Sequence, residues 1–179
     1  MLGIDPGTVT TGYGVVRGDA RSPALVECGV VRPAAGRPLS RRLAEIYEGV
    51  AELLERHRPD IMAVEQAFHN KNVRTTLVLG HARGVILLAG ERAGVPIEEY
   101  SPTMIKKSVV GSGNATKEQV QFMTARLLRL KAAPSPADAA DGVAAALTCI
   151  LGSGLRARLG ARAPAGSAPV AGTRGIAGT

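Results

Sequence analysis

The sequence predicts a three-layer α/β fold, in which helices cover both faces of a mixed β-sheet. Short β-rich runs alternate with longer segments in which apolar residues recur at the helical period of about 3.6. The chain has 179 residues, of which 45% are apolar; this suits one domain with a substantial core and excludes a disordered chain. The predicted order of elements is β-β-β-α-β-α-β-α, followed by two further helical segments.

Three strand-like runs open the chain. Residues 2–5, 12–17 and 25–31 are β-rich and are separated by turn residues, which predicts a three-stranded meander. Residues 39–57 place apolar side chains on one face at helical spacing, so we expect an amphipathic helix there. Residues 61–64 form a short continuous apolar run, which is typical of a strand covered on both faces.

Helical patterns dominate the second half. Residues 72–93 predict a long helix, which a Gly-Val-Pro segment ends, and residues 97–100 predict a further strand. Three more helices are expected at 102–110, 117–131 and 136–151. The second of these should begin with a capping box between Thr116 and Gln119. The third should have Ser135 as its N-cap and Pro136 at its first position.

The charge of the chain is strongly basic and unevenly distributed. The formal net charge is +7 and the isoelectric point is about 10, which in a cytoplasmic protein favours a polyanionic partner such as nucleic acid. Residues 152–179 hold four of the excess arginines, no acid and no aromatic residue, so we expect a disordered basic tail after a folded domain at 1–151. The tail could hold DNA through its arginines, or it could serve solubility alone.

Other compositional features exclude several classes of protein. Two scattered cysteines, Cys28 and Cys149, make neither a disulfide framework nor a thiolate zinc site. The start of the chain lacks the features of a signal peptide, and no apolar run is long enough to span a membrane. The sequence therefore predicts a cytoplasmic protein.

Four carboxylates are expected to converge. Asp5 and Glu65 each follow an apolar strand run, and the carboxyl ends of adjacent parallel strands meet at one edge of a sheet. Asp138 and Asp141 are three residues apart at the start of an Ala-rich helix, so they share a face. If that helix lies against the sheet, all four side chains meet.

Such a cluster calls for divalent cations. Carboxylates packed together repel one another and lose hydration, and no locally spaced Lys or Arg neutralises these four. Mg²⁺ prefers hard oxygen ligands of this kind. Two such ions about 4 Å apart can clamp the attacking and leaving oxygens of a phosphodiester, with water as the nucleophile.

Each acid also has a purely structural interpretation. Asp138 could be the acidic half of a capping box with Ser135, and Asp141 could complement the helix dipole. Asp5, which precedes Pro6 and Gly7, could be a turn residue. These interpretations require four acids to cluster by accident, which favours the functional one.

The motifs together identify a family resemblance. They are Leu2-Gly3-Ile4-Asp5-Pro6-Gly7 with Gly12-Tyr13-Gly14, Val64-Glu65-Gln66 with Phe68, Val109-Val110-Gly111, and Ala137-Asp138-Ala139-Ala140-Asp141. In this order and spacing, over residues 1 to about 151, the sequence resembles the RuvC family of crossover-junction endodeoxyribonucleases. It departs from the family pattern at Gly142, where Ala is more usual.

The resemblance implies a ribonuclease-H-like fold with a five-stranded mixed sheet and helices on both faces. It implies an endonuclease that resolves four-way (Holliday) DNA junctions by paired symmetric nicks, acts as a homodimer and works with a junction branch-migration helicase complex. It makes Asp5, Glu65, Asp138 and Asp141 the catalytic metal ligands. The cofactor implied is Mg²⁺, as two ions, with Mn²⁺ able to substitute.

Four further residues are candidate DNA contacts. Phe68 follows Glu65 in a polar loop, where an aromatic ring could stack on an unpaired base or pack under the loop. Lys106, Lys107 and Lys117 flank a Gly-rich loop that could cradle a phosphate. The resemblance assigns DNA contacts to Lys106 and Lys117, whereas Lys107 could equally be a solvated lysine.

The remaining expectations concern packing and competing functions. Helix 73–93, with Gly80 and Gly84 allowing close approach, is either a dimer interface or an ordinary buried helix. Tyr47 and Phe122 are expected in the core. The loop after Asp5 also resembles a phosphate loop of actin-like ATPases, but those need two lobes and a second such loop. A DNA-binding protein without catalysis would leave the carboxylates unexplained, and a related nuclease without junction activity would leave Phe68 and the lysines unexplained.

Overall fold

The computed structural model describes residues 1–66 and 73–158 of the chain. Five strands are present: β1 (Leu2–Asp5), β2 (Thr11–Arg17), β3 (Ala24–Val31), β4 (Met62–Glu65) and β5 (Ile97–Tyr100). The helices are α1 (Leu39–His57), α2 (Val73–Arg92), α3 (Pro102–Val110), α4 (Lys117–Leu127) and α5 (Ala137–Arg158). The predicted element types and their order are confirmed.

The strands form one mixed sheet in the order β3-β2-β1-β4-β5. The first three strands pair antiparallel, as the meander predicted, whereas β1, β4 and β5 run parallel. Ile4 pairs with Val64 across the parallel β1–β4 ladder. The next residues along these two strands are Asp5 and Glu65, so both carboxylates leave the sheet at the same edge.

Each face of the sheet has its own hydrophobic core, which gives the three layers. On one face, Leu2 and Ile4 pack with Ile46 and Val50 of α1 and Ile86 of α2. On the other face, α3, α4 and α5 pack against strand side chains such as Val16 and Ala63, which alternate along their strands with the side chains of the first core. The apolar residues of β4 are therefore covered on both sides, as their continuous apolar run predicted.

Helix α4 begins as predicted but ends earlier than predicted. The predicted capping box is present, because Thr116 Oγ1 accepts from the Gln119 amide and Gln119 Oε1 accepts from the Thr116 amide. The helix ends at Leu127 instead of residue 131. Arg129 has a left-handed φ of 55°, and the Leu130 amide donates to the Ala125 carbonyl, so the chain turns away from the helix axis there.

α5 begins one residue later than predicted and ends later too. The Pro136 carbonyl accepts from the Ala140 amide, so Pro136, not Ser135, stands at the N-cap position. The helix continues to Arg158, so residues 152–158, which were expected in the tail, are helical. Residues 159–179 of the predicted tail lie outside the described residues.

One core prediction is wrong. Phe122 is 61% exposed, because the buried face of α4 is formed by Val120, Thr124 and Ala125 and Phe122 points the other way. Its ring instead packs against the guanidinium of Arg126, 5.9 Å from the ring centroid. Tyr47, by contrast, is partly buried and packs against the core that includes α1 and α2.

Two compositional expectations concern the cysteines and membrane-spanning helices. Neither Cys28 nor Cys149 forms a disulfide bond within the described part of the chain. Across residues 1–66 and 73–158, no helix is long and apolar enough to cross a membrane.

Candidate active site

The site lies where the parallel strands end. Asp5 and Glu65 border a cleft of about 280 Å³, together with Lys106 of α3, Lys117 of α4 and Asp141 of α5. The cleft is open to solvent at one edge of the sheet. These side chains are therefore accessible from outside the protein.

Close packing of α5 on the sheet brings the other two carboxylates to Asp5. A Cβ atom on Gly12, the partner of Asp5 on β2, would lie 1.8 Å from the Asp138 carbonyl oxygen. A Cβ atom on Gly142 would lie 2.6 Å from Tyr13 Cα. Only glycine at these positions lets the start of the helix sit this near the strands. The resulting contact places the first two turns of α5 beside the end of β1.

Three of the four predicted carboxylates form one tight group. Single oxygen atoms of Asp5, Asp138 and Asp141 all lie within 4.8 Å of one another, and each side chain is half-buried. Glu65 lines the same cleft but is not part of that group. The structure also excludes the capping-box interpretation of Asp138, because an N-cap at Pro136 puts Asp138 one position before the residue that such a box uses.

The carboxylates are poorly compensated. Desolvation, followed by the negative charges of Glu65, Asp141 and Asp138, raises the pKa of Asp5 to about 8. Desolvation and the charge of Asp141 raise the pKa of Glu65 to about 7. Desolvation also raises the pKa of Asp141, although the ammonium of Lys117 acts in the opposite direction. The site therefore holds more negative charge than its own cations neutralise.

One lysine partly offsets this charge. Lys117 Nζ donates a hydrogen bond to Asp141 Oδ2 at 2.6 Å, and this bond raises the pKa of the lysine. Lys106 borders the cleft without being in that ion pair. Both lysines thus stand where a phosphate near the carboxylates would meet positive charge.

The loop after Asp5 is held by one local contact and one long-range contact. Thr11 Oγ1 donates to the Gly7 carbonyl at 2.7 Å. Arg42 of α1 donates twice to the Thr8 carbonyl, from Nε at 3.0 Å and from a terminal nitrogen. The sequence does not predict this role of Arg42, because nothing local connects a polar position of an amphipathic helix with a loop 34 residues earlier.

Two of the candidate DNA contacts have less structural support. Phe68 lies outside the described residues. Lys107 is exposed on α3, on a side of the helix different from that of Lys106, which borders the cleft. The geometry therefore favours Lys106 and Lys117 as the cations nearest the carboxylates.

The donor set fits a hard divalent cation. All the close donors are carboxylate oxygens, which suit Mg²⁺ or Mn²⁺ and do not suit a soft thiophilic metal. Burial, followed by neighbouring negative charge, raises the pKa of Asp5 and of Glu65, so ionising both carboxyls is unfavourable without a further positive charge. A bound divalent cation would supply that charge.

Comparison with known proteins identifies the family. A sequence model of the family described as "Crossover junction endodeoxyribonuclease RuvC" matches residues 1–149. This chain belongs to the RuvC family. The RuvC of Brevibacillus brevis is 49% identical over 148 residues, which are 83% of this chain and 89% of the relative. The RuvC of Pelotomaculum thermopropionicum is 46% identical over 147 residues, which are 82% of this chain and 90% of the relative.

Solved structures confirm the ribonuclease-H-like fold. The Thermus thermophilus RuvC in complex with a Holliday junction substrate is 37% identical and has a TM-score of 0.80, with 89% of this chain and 95% of that chain covered. The Holliday junction resolvase of yeast mitochondria is 13% identical with a TM-score of 0.58, so it shows the shared fold alone. The chain is thus a RuvC-family nuclease, as the sequence motifs predicted.

Proposed function

We propose that this RuvC-family nuclease resolves four-way (Holliday) DNA junctions by paired symmetric nicks, in DNA recombination and repair. The observation that carries the proposal is the group formed by Asp5, Asp138 and Asp141, with Glu65 across the same cleft. Carboxylates repel phosphates unless a cation lies between them. A protein that only binds DNA would gain nothing from such a cluster.

The four carboxylates are the proposed holders of the metal. Mg²⁺, as two ions, is the proposed cofactor, with Mn²⁺ able to substitute. Bound divalent cations lower the pKa of water and offset the charge that develops on a phosphodiester. The reaction adds water across one bridging P–O bond, and the leaving oxygen takes up a proton. Lys106 and Lys117 border the cleft and are proposed to hold the phosphate near the carboxylates.

A homodimer is the proposed assembly, because a junction has approximate two-fold symmetry and two strands must be cut. Helix α2 supports an interface. Val73, Leu77 and Leu88 are 73%, 61% and 51% exposed, and a Cβ on Gly80 or Gly84 would meet nothing within 4 Å. These five positions fall within one stripe of the helix, since each is three or four residues from the next. The stripe could meet its own copy closely.

The dimer can be tested with Leu77→Lys, which places a charge in the centre of this stripe. We expect the wild type to sediment as a dimer and the variant as a monomer. On a plasmid with an extruded cruciform, the dimer should give linear product through paired cuts, whereas the monomer should give nicked circles. Equal sedimentation of the two proteins would reject α2 as the interface.

The function is tested by cutting of labelled synthetic junctions and of linear duplex, with and without Mg²⁺. We expect metal-dependent symmetric nicks in the junction and little cutting of the duplex. Asp5→Asn and Glu65→Gln should each reduce the cutting rate at least about 10²-fold, because the metal loses a charged ligand. Glu52→Gln is the matched control, since this acid lies exposed on α1. Full cutting by both site variants would refute the mechanism.

Two further parts of the proposal concern the cell. A junction branch-migration helicase complex is the proposed partner, and the cytoplasm is the proposed location, because the substrate is chromosomal DNA. Phe68 is proposed to stack on an unpaired base at the junction centre. The segment 159–179 is proposed to be dispensable for cutting.

A further inference from the structure

A group of exposed arginines lies beside the carboxylate site and has no assigned role. Arg32, Arg37 and Arg41 lie in the β3–α1 loop and the first turn of α1, and all three are exposed. Residues 32–44 contain no acid. Within the described part of the chain, none of the three arginines makes an ion pair. We call these three residues the arginine surface.

Strand register places this surface close to Asp5. Asp5 pairs with Gly12, and Gly12 pairs with Val30, so Val30 is two strands away from Asp5. Neighbouring strands are about 4.8 Å apart, so the Cα atoms of Asp5 and Val30 are about 10 Å apart. Arg32 follows two residues later, past the edge of the sheet at which Asp5 lies.

Local contacts hold this segment against the loop that follows Asp5. Arg42, next to Arg41, donates two hydrogen bonds to the Thr8 carbonyl. The Ala34 amide donates to Glu45 Oε2 at 2.7 Å, which ties the arginine-bearing loop to α1. The arginine surface is therefore built onto the same framework as the carboxylates.

The arginine surface and the site lysines lie on different sides of the carboxylates. α1 packs on one face of the sheet, where Ile46 and Val50 enter the core. Lys106 and Lys117 belong to α3 and α4, which pack on the opposite face. A DNA strand that crosses the carboxylates from one face to the other would meet positive charge on both sides.

We propose that Arg32, Arg37 and Arg41 bind backbone phosphates of the DNA strand that is cut, on the side of the carboxylates opposite the lysines. This proposal rests on the proposed function. Arginine forks match phosphate oxygens, and such contacts position DNA without reading its sequence. An acidic protein partner is the competing occupant, and proximity to the cutting site favours DNA.

The test compares two triple variants of the full-length protein with equal loss of charge. The first is Arg32→Gln with Arg37→Gln and Arg41→Gln. The control is Arg17→Gln with Arg21→Gln and Arg92→Gln, which are exposed arginines at the other end of the sheet. The affinity for a labelled synthetic junction is measured in Ca²⁺ over a series of KCl concentrations. Melting curves confirm that each variant folds.

We expect the slope of log affinity against log salt to fall by about 2–3 in the first variant and to stay at the wild-type value in the control. A triple Lys variant of the same three positions should keep the wild-type slope, because it keeps the charge. Equal slopes for the two Gln variants would overturn the proposal and leave an acidic protein as the occupant. Cutting of the junction by the wild type in Mg²⁺ is scored separately, so its absence would reject the proposed function instead.

Discussion

Lys117 Nζ lies 2.6 Å from Asp141 Oδ2, although 24 residues separate them. A capping box fixes the start of α4 at Lys117, and the close packing of α5 on the sheet brings Asp141 to the same cleft. In the metal-free protein, this ammonium is therefore a monovalent counter-ion within a site that suits divalent cations.

Lys117 and a bound metal should compete for the same carboxylate. We expect Lys117→Met to lower the Mg²⁺ concentration needed for half-maximal cutting, while the maximal cutting rate falls at least about tenfold because the phosphate loses a cation. The pair is half-exposed, so its loss should cost about 0–1 kcal/mol of stability. Lys131→Met, at an exposed position beyond α4, is the control. An unchanged Mg²⁺ requirement would contradict the competition.

The metal-free protein should lose stability as the pH rises. Burial and neighbouring charge raise the pKa of Asp5 to about 8, and burial and the charge of Asp141 raise that of Glu65 to about 7. These carboxyls titrate near pH 4 in an unfolded chain, so the folded state binds more protons between about pH 4 and pH 8. The free energy of unfolding contributed by these two carboxyls is therefore highest below about pH 4 and decreases as the pH rises from about 4 to about 8.

Thermal melting in EDTA measures this dependence. We expect Tm to be lower at about pH 8 than at about pH 5.5, by about 2–4 °C for each kcal/mol lost. Asp5→Asn should flatten the dependence and raise Tm at the higher pH. Mg²⁺ should raise Tm more at the higher pH, where the carboxylates are ionised. A wild-type Tm that increases with pH over this range would contradict a loss of stability caused by ionisation of the carboxylate cluster.

Gly142 is a packing requirement and not merely a weak helix residue. Alanine is the better helix former by about 1 kcal/mol, yet its Cβ would lie 2.6 Å from Tyr13 Cα. We expect Gly142→Ala to lower Tm and to raise the Mg²⁺ concentration required for cutting. The added methyl group would push α5 off the sheet, and Asp138 and Asp141 would move with the helix away from Asp5. Gly152→Ala is the control in the same helix, where nothing lies within 4 Å, and it should be neutral or stabilising.

Phe68 should act in cutting more than in binding. Stacking on a base contributes about 1–3 kcal/mol, so Phe68→Ala should slow cutting by about 5- to 150-fold at saturating protein. Junction affinity should change little, because phosphate contacts dominate it. Phe122→Ala, which removes an exposed ring from α4, is the control. Equal cutting rates for wild type and Phe68→Ala would exclude stacking.

Much of the fold could be predicted from local sequence. The apolar runs ending at Asp5 and Glu65 predicted both strands, and Thr116 and Gln119 predicted the start of α4, because these signals act over a few residues. The failures have physical causes. The apolar face predicted for the helix at 117–131 includes Phe122, whereas Val120 and Thr124 form the inner face of α4 and Phe122 is exposed.

By itself, the sequence determined which carboxylates belong together and which family the chain resembles, since these depend on residue type, order and spacing. Only the tertiary structure decided how close they come. The 4.8 Å grouping of Asp5 with Asp138 and Asp141 depends on the approach of α5 to β2 at Gly12 and Gly142. The ion pair of Lys117 and the bonds from Arg42 to Thr8 likewise join residues far apart in the chain. Such contacts follow from the packing of separate elements against one another, which no local pattern encodes.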